Sequence, residues 1–242
     1  MSRSPLLIPG VKTSVGRYAD PHRALADDAF AKVRWTIVKR DQFTCQSCQF
    51  VSLPKTEAHP TSLLASGHME AHHRDDDHHN NDKSNLTTQC PLCHAVFHVG
   101  YHGKRAAVQI IYCPWLTQED LNLLVHCAAV AIARNGNQLA DQAKALLNAL
   151  RSLNSIAVEI LGEAAADPTA LGAALSEISR KAPKVYENRG IALQNFRVLP
   201  NPEAFKEAIS YWSKHRWMPD GNWEAAWAKV FEAWQASQGK GA

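Results

Sequence analysis

Six cysteines include two CxxC pairs, Cys45-Gln-Ser-Cys48 and Cys90-Pro-Leu-Cys93, and between them runs AHHRDDDHHNND, residues 71 to 82, with four histidines and four aspartates in twelve positions. Each CxxC offers two thiolates from one tight turn, and two such pairs can close a tetrahedron around Zn²⁺ with Zn–S near ~2.3 Å. A redox CxxC is the competing reading for either pair alone. The separation of 42 between Cys48 and Cys90 exceeds that of a minimal zinc ribbon, so a folded insertion lies between the two knuckles. Cys113 and Cys127 stand in apolar surroundings and read as small core residues. The polar run cannot lie in a core, because buried unpaired charges are costly; it is a surface loop or a site.

The elements that must position these groups follow from local patterning. His94 and His98 are four apart, so on a helix both imidazoles project from one face. Asp75, Asp76, Asp77, His78 and His79 read as a solvated connection, with Asn80-Asn81-Asp82 supplying its turn chemistry. Downstream the chain reads as helical. Thr117 caps a helix with acids in its first turn that runs towards Gly136, and a second spans about 138 to 162 with a break near Ser152-Leu153-Asn154. Asp167-Pro168 opens a third, Pro200-Asn201-Pro202 sets off one near 203 to 215, and a last is expected from 223 to 237. His126, in an apolar helix, reads as a core residue with one hydrogen bond rather than a ligand. Trp212, Trp217, Trp223, Trp227 and Trp234 crowd the C-terminal end. Core packing explains such a cluster, and an exposed aromatic patch that docks a partner is the functional alternative.

With 242 residues and 45% hydrophobic content, the chain can bury a substantial core. Its longest uncharged apolar run, 125 to 133, is far below the ~20 residues of a membrane span, and the N-terminus fits neither signal nor anchor. These features predict a cytoplasmic protein. A net charge of +3 neither demands nor excludes a nucleic-acid partner.

From Glu70 the chain reads EAHHRDDDHHNNDKSNLTTQCPLCHAVFH, which resembles the zinc-stapled form of the HNH endonuclease signature. That resemblance implies a strand carrying His72-His73, a loop carrying Asn85, and a helix carrying His94 and His98, braced by Cys45, Cys48, Cys90 and Cys93 around a structural zinc. It further implies His73 as general base, Asn85 fixing the loop that aims it, and His72, His94 and His98 holding a second divalent ion such as Mg²⁺.

A wider resemblance is to the IcmJ/DotN family of type IVB (Dot/Icm) secretion and related conjugation systems. It is carried by RDQFTCQSC (40 to 48), NLTTQC (85 to 90) and YCPWLTQEDLN (112 to 122), then by Asp167-Pro168, Arg197-Val198-Leu199-Pro200 and the segment from Phe205 to Trp212. It implies an HNH-like zinc fold that has lost nuclease chemistry and serves as an adaptor on the C-terminal extension of the coupling ATPase, with its associated adaptors, at the inner membrane. The histidines at 72, 73, 94 and 98 depart from that pattern, so cleavage or nicking of DNA is the alternative activity. The expected architecture is α+β: an N-terminal arm over 1–29, a small HNH-like ββα-metal zinc core over 30–113, and a mainly α-helical C-terminal half over 114–242 with a Trp-rich extension.

Overall fold

The computed structural model describes residues 7–11, 23–55, 58, 62, 64–75, 77, 79–134 and 138–214. Trp217, Trp223, Trp227 and Trp234, Gly136, Asp76 and His78, and the helix expected over 223 to 237, lie outside these residues. The fold is α+β. A helix α1 (Arg23–Arg40) leads into a loop, followed by a hairpin of β1 (Glu70–His73) and β2 (Leu86–Gln89) and then two short helices, α2 (Pro91–Val96) and α3 (Val99–Gly103). Strand β3 (Val108–Tyr112) precedes α4 (Gln118–Ala133), α5 (Gln138–Ser152), α6 (Asn154–Leu161) and α7 (Glu163–Ala166). Next come α8 (Pro168–Lys181), α9 (Pro183–Glu187), α10 (Arg189–Ala192), strand β4 (Phe196–Pro200), a 3-10 turn (Pro202–Phe205) and α11 (Lys206–Lys214).

Local chemistry explains several boundaries. Thr117 Oγ1 accepts from Asp120 N at 3.0 Å and Asp167 Oδ1 from Ala170 N at 2.7 Å, starting α4 and α8. The break expected near Ser152-Leu153-Asn154 falls at Leu153, between α5 and α6. After α1 the chain reverses through Gln42 and Phe43, both left-handed at φ 53° and 55°, and Asp41 Oδ2 then accepts from Thr88 N at 3.0 Å. The hydrogen bonds of Asp41 to Arg40 and Thr88 outweigh the burial that pushes its carboxyl up, and hold it below the usual range.

Two features lie beyond the sequence expectation. The C-terminal half is not purely helical: β4 pairs antiparallel with β3, from Val108 opposite Pro200 to Tyr112 opposite Phe196. Strand β3 closes the segment 30–113 and β4 lies deep in 114–242, so the two segments share a sheet. They also share one hydrophobic cluster that runs from Leu7 and Val38 through Cys45, Leu92, Val125 and Leu146 to Trp212. Residues 7–11 of the expected arm join it as well. Gly10 N donates to Val96 O at 3.0 Å and Val99 N to Gly10 O at 3.0 Å, threading this segment beside α2 and α3.

Helices α3 and α8 approach each other closely through glycines. A Cβ on Gly172 would sit 2.3 Å from Gly100 Cα, and one on Gly103 would sit 2.7 Å from Thr169 N. Helix propensity alone favours Ala over Gly by ~1 kcal/mol. Backbone atoms cannot yield like a flexible side chain, so overpacking of about 1–3 kcal/mol outweighs that gain. Gly172→Ala is therefore expected to lower stability by up to about 2 kcal/mol in urea unfolding; a stabilised variant would show that α3 and α8 separate freely.

Candidate metal centres

The first centre is built from the loop after α1 and the start of α2. Cys45 N donates to Phe50 O at 2.8 Å and Gln49 N to Cys45 O at 3.0 Å, with Gln49 left-handed at φ 61°, which folds Cys45 and Cys48 into one tight knuckle. Cys90 is the N-cap of α2, its Sγ accepting from Cys93 N at 3.4 Å, and Pro91 suits the first helical position because that turn needs no N–H. The four sulfurs all lie within 4.8 Å of one another, none of these cysteines forms a disulfide, and each is buried. Cys48 and Cys90 Sγ are 3.8 Å apart, the edge of a tetrahedron whose metal–sulfur distance is ~2.3 Å. Such a group cannot hold four bare thiolates: burial and the nearby Cys45 charge push the Cys90 and Cys93 thiols well up. Burial also pushes Cys45 up, but contacts from Cys48, Cys90 and Cys93 outweigh it and leave Cys45 well below the ordinary range. The donor set, the spacing and the burial fit a divalent metal such as zinc. Cys113 and Cys127 are buried, and burial pushes their thiols up to about 11 and about 12.

The second centre gathers His72, His94 and His98, whose nitrogens also lie within 4.8 Å of one another. His72 is buried on β1 and stacks on Phe97 at 4.1 Å, interplanar angle 13°. The Nε2 atoms of His94 and His98 are 3.2 Å apart, close to the ~3.3 Å expected of two imidazoles on one tetrahedral ion. The route to this arrangement differs from the sequence expectation. Helix α2 ends at Val96, and His98 stands beyond its cap at φ −131°, ψ 46°, so the two rings meet across a break and not along one helical face. Glu70, which shares a strand face with His72, pairs with His94 Nδ1. That contact puts the proton on Nδ1 and leaves Nε2 free as a ligand. Burial pushes the Glu70 carboxyl up, but His94, His102 and Arg34 outweigh it and hold it below its usual range. Burial pushes His102 down to about 4.

His73 does not join this group. As the next residue on β1 it projects from the opposite face, stacks on Phe30 at 4.9 Å, and places Nε2 3.0 Å from Asn81 Oδ1. Asn85 closes the β1–β2 connection: its Nδ2 donates to Asp75 Oδ1 at 2.8 Å and to Asn80 O at 3.0 Å, and its Oδ1 accepts from Asp75 N at 3.2 Å. Asp75, Asp77 and His79 are exposed, as expected of a solvated turn. Glu70, Asn81, Gln89, Asn122 and His126 were not anticipated as contributors. Strand alternation, which puts Glu70 beside His72, was the one available signal.

No family model matches the chain. It is similar to the Type 4 apparatus protein DotN of Legionella pneumophila subsp. pneumophila (strain Philadelphia 1), 28% identical over 193 residues, a match covering 77% of this chain and 80% of that protein. Among the described residues no helix is long and apolar enough to cross a membrane.

The pairing of Glu70 with His94 predicts that Glu70→Gln weakens Zn²⁺ binding at the histidine group by about tenfold in calorimetric titration, the usual effect of losing a carboxylate behind a ligating imidazole. An unchanged affinity would make the contact a bystander.

Proposed function

We propose that this chain is a zinc-stapled component of a type IVB secretion apparatus that acts by binding rather than by catalysis. In this reading residues 30–113 form an HNH-like ββα-metal core with Cys45, Cys48, Cys90 and Cys93 on a structural Zn²⁺. Residues 114–242 extend it into a helical platform. The chain is an adaptor at the inner-membrane coupling complex, docked on the C-terminal extension of the coupling ATPase beside other adaptors. The observation that carries this reading is the match to DotN: 193 aligned residues exceed the whole of 30–113, so the likeness reaches into the helical region. A structural zinc supplies folding energy, so removing it should unfold the region around it. Chelation at neutral pH is expected to abolish cooperative unfolding followed by circular dichroism. Protons compete with metal for thiolate, so zinc content by atomic emission should be complete near pH 7 and fall as the medium is acidified.

One observation favours a second reading, a metal-dependent endonuclease: His72, His94 and His98 converge as three nitrogen donors. Three protein ligands and one open position are typical of catalytic metal sites. A divalent ion there would supply Lewis-acid stabilisation of charge on a scissile phosphate. His73 would then take the proton of the attacking water and Asn85 would hold the loop that positions it. The contact of His73 Nε2 with Asn81, on the face away from the histidine group, weighs towards binding.

The two readings part in one paired experiment with wild type and His73→Ala. Both proteins are expected to capture the C-terminal extension of the coupling ATPase equally, and neither to nick supercoiled plasmid with Mg²⁺, Mn²⁺, Ni²⁺ or Zn²⁺. Nicking by wild type that disappears in His73→Ala would overturn the adaptor reading in favour of the nuclease.

A further inference from the structure

Helix α4 turns two polar side chains, one helical turn apart, onto the cysteine centre. Asn122 Nδ2 lies 3.2 Å from Cys93 Sγ and His126 Nε2 lies 3.2 Å from Cys90 Sγ, and both residues are fully buried. For Asn122 the backbone decides which end of the amide faces sulfur. Val198 N donates to Gln118 Oε1 at 2.8 Å and Gln118 Nε2 donates to Val198 O at 2.8 Å, which fixes the Gln118 amide. Gln118 Nε2 also donates to Asn122 Oδ1 at 2.9 Å, so the Asn122 N–H must point at Cys93.

The same reasoning orients the other two donors. His126 Nδ1 is buried without a hydrogen-bond partner. Were Nδ1 protonated it would be an orphaned N–H, whereas a proton on Nε2 is satisfied by the Cys90 sulfur and leaves only an unused lone pair. An orphaned buried donor is the rarer and costlier defect. Gln89, next to Cys90 in the chain, has Oε1 3.4 Å from Cys45 Sγ and a buried Nε2 with no partner. The two ends of such an amide are assigned from their hydrogen bonds, and turning it over places the orphaned N–H on Cys45.

We infer that Gln89, Asn122 and His126 form a neutral N–H···S cage around the four-cysteine centre, one donor each for Cys45, Cys93 and Cys90. This rests on the reading of that centre as a metal site. A divalent ion on four thiolates leaves two net negative charges in a buried place, and uncompensated buried charge is costly. Hydrogen bonds to the sulfurs disperse that charge and occupy the lone pairs that would attack an electrophile or a competing metal. Asn122 and His126 are positioning residues and not ligands. They make the centre slow to exchange and tie it to the helical half.

The test uses the full chain loaded with ¹¹³Cd²⁺ and labelled with ¹⁵N. The ¹¹³Cd shift should report all-sulfur coordination, and ¹H–¹¹³Cd correlations across the hydrogen bonds should reach the side-chain N–H of Asn122, Gln89 and His126. With Co²⁺, His126→Phe keeps the stacked ring but no donor, and Asn122→Leu keeps the volume. Each should move the sulfur-to-cobalt charge-transfer band to lower energy and speed metal removal by a chelator about tenfold. His126→Gln, which restores an N–H near the Nε2 position, should return both readouts towards wild type. All-sulfur coordination without these correlations, or bands identical among the variants, overturns the cage alone. A cadmium shift lacking sulfur coordination overturns the metal reading and the cage with it.

Discussion

Four sulfur atoms within 4.8 Å of one another, buried where water cannot solvate a charge, are the constraint that the surrounding structure must meet. Such a cluster is stable only if the charge is neutralised, and metal coordination is the chemistry that cysteine pairs at this spacing provide. The sulfurs come from two chain segments 42 positions apart, so closing the cluster brings the knuckle after α1 against the junction of β2 and α2. Gln46 N donates to Thr88 O at 2.9 Å beside it, extending the same junction through the backbone. Around the sulfurs the packing is aromatic. Phe50 stacks on His126 at 4.1 Å and meets Trp212 edge-on at 4.8 Å, so α4 and α11 close over the knuckle directly.

Trp212 shows how the far end of the described chain is held to this arrangement. Its ring is buried, and its Nε1 donates to Ser52 Oγ and Gly67 O, both at 3.1 Å. A buried indole N–H without partners would be costly, so these two bonds select one seating for α11 on the loop that follows the knuckle. Of the five clustered tryptophans this is the one within the described residues, and it obeys the core-packing reading.

The chemistry-bearing residues were the most legible part of the sequence, because ligand identity and spacing are local properties. Two CxxC pairs and a His pair announce themselves without any fold. Capping was legible for the same reason: Thr117 and Asp167 stand where the helices they start require them. The β3–β4 sheet was not legible, since it joins residues some ninety positions apart and a strand of five residues gives little periodic signal. The break between α2 and His98 was hidden by a spacing of four that suits a continuous helix. Asn122 and His126 look like ordinary members of an apolar helix, and only the approach of α4 to the cysteines reveals their contacts.

The two centres are linked by α2, which carries Cys93 and His94 side by side. Cys93 points inward from this helix to the sulfur cluster, while the adjacent His94 turns towards Glu70 and the other imidazoles. The orientation of α2 is set by Cys90 at its cap and Cys93 one turn in, both members of the buried cluster. The histidine group therefore depends on the cysteine group for its geometry. Of the three histidines, His94 and His98 are half-exposed, whereas His72 is buried and stacks on Phe97, a member of the hydrophobic cluster. A change at His94 or His98 therefore disturbs the core less than one at His72, whose ring packs on Phe97.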